Sequence, residues 1–255
     1  MRIVIKIGTS TLTHENGSVN LRRIEALCRI VSDIMNSGKE IILVSSGAIG
    51  MGVGKLGLRA RPADIAGKQA CAAVGQCELM YEYDKLFGEY NHTVAQILLT
   101  APDLACDDRR EKFENTVERL LELGVLPIIN ENDTVATEEI VFGDNDTLAA
   151  KVAVTTEADL LVLLSDIDGL YTADPHKDSA ASLISEVYEI DERILALAGS
   201  AGTARGTGGM ETKLRAAKIA TEAGCDMVIA NGAAPELLYD LVDGAKVGTR
   251  FYAKG

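Results

Sequence analysis

Lys39-Glu40-Ile41-Ile42-Leu43-Val44 is apolar on every residue after Glu40 and runs directly into Ser45-Ser46-Gly47-Ala48. A strand with one wet face would alternate polar and apolar residues. An unbroken apolar run of this length, ending in small turn residues, fits a parallel strand covered on both faces. Ile3-Val4-Ile5-Lys6-Ile7-Gly8 is a second β-rich run that ends in glycine. Between them, Asn20 can cap a helix whose apolar stripe is Leu21, Ile24, Leu27, Cys28, Val31, Ile34 and Met35, with Ser37-Gly38 as its stop.

The alternation continues downstream. Helical stretches at Ala63–Phe87 and Arg109–Leu123 flank a strand at Thr93–Leu99, and Gly124–Ile129 is a helix stop followed by a strand. Thr147–Ala158 reads as a helix, Asp159–Leu164 as a buried strand, Glu211–Ala223 as a helix and Asp226–Ala230 as a strand. Strands joined by crossover helices predict an α/β fold with an open, mainly parallel sheet covered on both faces. The pattern reads as two lobes joined near Ala149–Thr156. In such sheets the strand-end loops gather at one rim and form the binding site. Lys6–Ser10, Ser45–Gly54, Asn130–Asp133 and Ser165–Gly169 all follow predicted strands.

Composition narrows the function. The 255 residues carry 25 Lys plus Arg against 38 Asp plus Glu, a formal net charge of −13, which disfavours nucleic acid as a partner. Ile41–Val44 and Leu160–Leu164 are far shorter than the roughly 20 apolar residues of a membrane span. The residues at Met1–Gly8 lack the long apolar core of a signal peptide, so a cytoplasmic protein without membrane attachment is expected. Five cysteines without a CxxC pair and three scattered histidines offer no direct metal site.

The chemistry-bearing residues cluster in the strand-end loops. Ser45–Gly54 is glycine-rich where a strand turns toward a helix, so backbone N–H groups could approach an anion, although a flexible turn reads the same way. Its substring Gly52–Gly57 matches GxGxxG but lies too far past the strand to form a dinucleotide turn. Gly206-Thr207-Gly208-Gly209-Met210-Glu211-Thr212-Lys213 opens a helix and is either an anion site or a surface loop. Lys6 sits inside an apolar strand, where an ammonium must either snorkel to the rim or meet an anion. Asn130–Asp133 and Gly143–Asp146 add amides and carboxylates that suit a zwitterionic ligand or hold lysines, though Asp144 or Asn145 could serve as a cap alone. Two anion loops, two lysines and an acid/amide cluster, with no Ser-His-Asp set, point to phosphoryl transfer to a small molecule. Asp166-Ile167-Asp168-Gly169 raises a rival, since DxDG after a buried strand resembles the nucleophile loop of haloacid-dehalogenase-type phosphatases.

Ordered along the chain, Val4–Ser10, Val44–Ala48, Ile129–Asp133, Phe142–Asp146, Ser165-Asp166, Gly169–Pro175, Gly206–Lys213 and Gly248–Phe251 resemble the amino acid kinase family from residue 2 to about 252. The joint presence of NEND at 130–133 and FGDND at 142–146 sets the chain apart from acetylglutamate, aspartate, carbamate and uridylate kinases. The resemblance implies a three-layer α/β/α sandwich, an N-terminal lobe over about 1–150 for substrate and a C-terminal lobe over about 151–255 for nucleotide. It implies ATP-dependent phosphorylation of the γ-carboxylate of L-glutamate, with Mg²⁺ carried by the ATP phosphates. Lys6, Lys213 and Asp146 would be catalytic, the carboxylate orienting the two lysines. Ser46, Gly47, Ala48, Asp133 and Asn145 would bind glutamate. Lys6, Gly8, Ser165, Asp166, Thr207, Gly208, Gly209, Met210, Glu211, Thr212 and Lys213 would hold ATP. A homo-oligomer and feedback inhibition by L-proline are further implications. Longer members continue into a PUA-type domain; this chain ends at Gly255, near where that domain would begin, so a form without it is expected. Another small-molecule kinase of the family and a non-catalytic nucleotide-binding regulator are the alternatives.

Overall fold

Side chains alternate strictly between two cores along the central strands, and this alternation builds the molecule. The computed structural model describes residues 1–14, 18–136, 145–175, 177–200 and 209–254. The strands are β1 (Arg2–Ile7), β2 (Glu40–Ser45), β3 (Val94–Leu99), β4 (Leu126–Glu131), β5 (Leu160–Ser165), β6 (Leu170–Tyr171), β7 (Leu183–Ile184), β8 (Glu186–Val187), β9 (Asp226–Asn231) and β10 (Thr249–Phe251). The helices, in chain order, are α1 (Thr9–Leu12), α2 (Leu21–Asn36), α3 (Ala48–Lys55), α4 (Ile65–Gly88) and α5 (Ala101–Ala105). They continue with α6 (Asp107–Glu122), α7 (Asn145–Thr155), α8 (Glu192–Ser200), α9 (Met210–Glu222) and α10 (Leu237–Val242).

Eight strands form one sheet in the order β3-β4-β2-β1-β5-β9-β10-β8. All neighbours are parallel except β9 and β10, which run antiparallel. Val4, Ile42, Val44, Leu161, Leu163, Met227 and Ile229 face a core shared with α6, α7 and α9. Their strand neighbours Ile3, Ile5, Ile7, Ile41, Leu43, Leu160, Val162 and Val228 face a second core shared with α2, α4 and α10. The result is the expected α/β/α sandwich. It follows from two apolar faces per strand, each of which must be buried under helices.

β1 lies between β2 and β5, pairing Lys6 with Val44 on one side and Leu163 on the other. The chain therefore builds outward in two directions from β1, and the loops at the carboxyl ends of the central strands open at that reversal. Local signals explain several boundaries. The Asn20 side chain accepts from the Arg23 amide at the start of α2, and Asp64 does the same for Gly67 at the start of α4.

Ser45–Gly54 differs from an open glycine loop. Gly47 adopts φ 102°, which favours glycine, and α3 begins at the next residue. Gly52, later in the run, serves helix packing together with Gly75 of α4. A Cβ at Gly52 would lie 1.9 Å from the Cys71 carbonyl oxygen, and one at Gly75 would lie 1.8 Å from that of Ala48. Thus α3 and α4 touch backbone to backbone. The antiparallel β10, the short β8 and the separate β6–β7 hairpin were not anticipated from the sequence. Each is two or three residues long, too short for a period to register. Among the described residues, no helix is long and apolar enough to cross a membrane.

Candidate active site

Two ammonium groups and one carboxylate meet at the carboxyl end of β1. Lys6 comes from the strand itself, Asp146 from the first turn of α7 and Lys213 from the first turn of α9. Their exposures are 8 %, 1 % and 4 %, so the charges lie beneath the rim. Lys6 Nζ is 2.6 Å from Asp146 Oδ1, and Lys213 Nζ is 3.2 Å from Asp146 Oδ2. Thr212 Oγ1 donates to the same Oδ2 at 2.9 Å. Burial alone would push the Asp146 carboxyl up. The attraction of Lys6 and then Lys213, with hydrogen bonds from Lys6 and Thr212, outweighs it and holds the group far below the ordinary carboxylate range. The lysine expected to meet an anion is thus seated on a fixed counter-charge rather than stretched out to solvent.

Asn145, next to Asp146, joins this centre to a second cluster. Its Nδ2 donates to Ser46 Oγ at 2.9 Å, to Asn130 Oδ1 at 2.9 Å and to the Ser45 carbonyl at 3.1 Å. The Ser46 amide is in turn bound by the Ile7 carbonyl at the end of β1. Asn130 also accepts from the Glu131 amide through Oδ1 and donates through Nδ2 to Gln76 Oε1, each at 2.9 Å. The hydroxyls of Ser45 and Tyr83 lie 2.9 Å apart, and burial pushes the Tyr83 phenol up, keeping it neutral.

The structure therefore unites Lys6, Asp146, Thr212 and Lys213 in one constellation, and Ser46 with Asn145 in the adjoining one. Gly47 and Ala48 follow Ser46 at the start of α3, where the first amides of the helix lie. Asp133 is half-buried in the turn after β4. Gly8 is tied to the end of β5 by its backbone N–H, which donates to the Leu164 carbonyl, and Ser165 ends β5 with its hydroxyl donating to Asp166. Gly209 caps α9 and Met210 is buried, whereas Glu211 is exposed and pairs with Arg215, away from the lysines. Thr207 and Gly208 lie outside the described residues. Sequence reasoning did not single out Gln76 and Tyr83. Both sit on the buried stripe of α4, where a lone amide and a phenol interrupt Ala72, Leu79 and Leu86.

The described residues form no direct cage for Mg²⁺. Among the described residues no three His, Cys, Asp or Glu side chains are grouped to hold a metal, and the central carboxylate is already bridged by two lysines. The phosphatase alternative fits poorly. Asp168 accepts from Asn231 through one oxygen and from Tyr171 through the other, and Asp166 accepts from the Ser165 hydroxyl.

The chain belongs to the amino acid kinase family, whose model matches residues 1–231. It is 56 % identical to a protein of Clostridium perfringens over 99 % of this chain and 96 % of that one, and 57 % identical to one of Carboxydothermus hydrogenoformans over 99 % of this chain and 68 % of the other. Both of these relatives are glutamate 5-kinases. Among solved structures, the carbamate kinase of Giardia lamblia bound to AMP-PNP shares the fold with a TM-score of 0.70 at 16 % identity, covering 99 % of this chain and 98 % of that one. The isopentenyl phosphate kinase of T. acidophilum does so at 0.67 and 17 % identity, covering 98 % of this chain and all of that one.

Proposed function

We propose that this protein transfers the γ-phosphoryl group of ATP to the γ-carboxylate of L-glutamate, giving L-glutamate 5-phosphate and ADP, the first step of L-proline biosynthesis. The observation that carries the reading is the buried Lys6–Asp146–Lys213 bridge beside the Ser46–Asn145 pair. A carboxylate oxygen attacks the γ-phosphorus, the bond from that phosphorus to the β,γ-bridging oxygen breaks, and ADP departs with the electron pair. The nucleophile is already ionised at neutral pH, because an ordinary glutamate carboxyl titrates near pH ~4.3. No general base is needed, and the chemistry reduces to aligning two anions that repel each other.

Lys6 and Lys213 supply the positive charge for that alignment, and Asp146 fixes the distance between them. Such preorganised charge costs no rearrangement at the moment of transfer. Ser46, Asn145 and Asp133, with the amides of Gly47 and Ala48, hold glutamate. Gly8, Ser165, Asp166 and the segment from Thr207 to Lys213 hold ATP; Mg²⁺ travels on its phosphates and offsets their charge. We assign the amino acid to the lobe over about 1–150 and the nucleotide to the lobe over about 151–255. The same reading takes the protein as a cytoplasmic homo-oligomer inhibited by L-proline.

An ADP-release assay with L-glutamate, N-acetylglutamate, L-aspartate and UMP tests the substrate. The expected result is turnover with L-glutamate, accompanied by a hydroxamate when hydroxylamine traps the acyl phosphate. Turnover with another member of the panel but not with L-glutamate overturns the reading. Addition of L-proline and measurement of mass in solution test inhibition and assembly.

A further inference from the structure

We propose that Gln76, on a helix that carries none of the residues assigned above to glutamate or ATP, is a positioning residue that sets amino-acid affinity by holding the Asn145 amide through Asn130. The inference rests on the reading of Asn145 as a glutamate ligand.

The relay begins at a donor that cannot turn. The backbone N–H of Glu131 bonds Asn130 Oδ1 at 2.9 Å, which fixes the oxygen end of that amide. The same oxygen accepts from Asn145 Nδ2. The nitrogen end of Asn130 must then face Gln76, and it donates to Gln76 Oε1 at 2.9 Å. Each amide orientation follows from the one before it, so the chain of bonds has a single polarity. Because the Nδ2 end of Asn145 is spent on Asn130, Ser46 and the Ser45 carbonyl, what Asn145 can offer an amino acid is its Oδ1. A carbonyl oxygen suits the α-ammonium group. With Asn130 free to shift, Asn145 would lose one of its three acceptors and its Oδ1 would be held less firmly toward that cation.

Gln76 is poorly suited to a role in stability alone. It is 9 % exposed, and its Nε2 has no hydrogen-bond partner among the described residues. A buried amide that leaves its donor end unpaired forfeits free energy that an apolar side chain of similar size would not. Its one bonded atom is the acceptor that anchors the nitrogen end of Asn130. Replacing Gln76 with Leu would remove one unpaired amide nitrogen and leave another, that of Asn130, so stability should barely change while the relay loses its far anchor.

The test compares wild type with Gln76→Leu, reading Kd from the rise of the unfolding midpoint with L-glutamate and, separately, with AMP-PNP. This readout does not depend on turnover. The expected result is a midpoint near that of wild type without ligand, a glutamate Kd raised about tenfold and an unchanged nucleotide Kd. An unchanged glutamate Kd overturns the proposal, as does equal weakening of both ligands. If Gln76→Leu does not fold, Gln76→Met is read in the same way, and failure of both to fold assigns Gln76 a structural role and also overturns it. A wild-type protein that binds no glutamate overturns the functional reading itself. Wild type that binds glutamate no better than folded Gln76→Leu overturns only the role of Gln76.

Discussion

Lys6 Nζ lies 2.6 Å from Asp146 Oδ1, linking the end of the first strand to the start of α7 across most of the N-terminal half of the chain. Lys213 meets the other oxygen of the same carboxylate. The three side chains together carry more positive than negative charge, in a place where water is largely excluded. Charge held this way acts strongly on an incoming phosphoryl group.

Lys6→Ala and Lys213→Ala should each lower kcat for glutamate phosphorylation by at least about 100-fold, the scale of losing one preorganised donor to developing negative charge. Steady-state assays on protein whose folded state is verified by circular dichroism check this. Near-normal turnover in both variants would contradict the assignment of the centre.

Asp146→Asn should destabilise the protein at neutral pH by about 3–5 kcal/mol, because two buried ammonium groups lose their counter-charge. The carboxyl titrates below its ordinary value of 3.8 in the folded state. Unfolding therefore takes up a proton there as the medium is acidified. The advantage of wild type over the variant should be full above pH 3.8 and fade as pH falls below it toward the lowered folded value. Denaturant titrations of both proteins across that range provide the measurement.

Asp133→Ala should chiefly raise the KM for L-glutamate, by about tenfold or more, with the KM for ATP little changed, as expected for loss of a charged hydrogen-bonding partner. Separate substrate titrations distinguish the two. An effect confined to ATP would move Asp133 out of the amino-acid pocket.

Gly75→Ala places a methyl group where the Ala48 carbonyl oxygen would be only 1.8 Å away. Backbone rather than a flexible side chain must yield, so a loss of about 3 kcal/mol in stability is expected. The residue displaced starts α3 in the proposed glutamate pocket, and the KM for glutamate should rise with it. Thermal unfolding and glutamate titration of the same preparation check both consequences.

The six long strands were legible in the sequence because their apolar runs, broken only by Lys6 in β1 and Gln96 in β3, end at small or amide residues. β2 at Glu40–Ser45 and β5 at Leu160–Ser165 fall within a residue of the ranges expected. The helix after Asn20 was legible because its cap and its stripe agree. Lys6 was legible for a different reason, namely that a charge inside an apolar strand must be compensated, and Asp146 through the acid and amide cluster before a helix together with the family resemblance. What escaped depends on contacts between distant segments. Nothing local to Gln76 or Tyr83 announces that Asn130 and Ser45 lie opposite them. The same holds for Gly52 in α3, whose close approach to Cys71 no local pattern announces.

Lys6 belongs to β1, the strand with partners on both sides at the reversal of the sheet. Its backbone is held by two neighbouring strands, so its position is a fixed datum for the whole molecule. Rearrangement of the surrounding loops can move other groups relative to this strand. It cannot move the backbone of Lys6 without breaking the sheet. Any adjustment of reactivity in this enzyme therefore works around a backbone that stays in place.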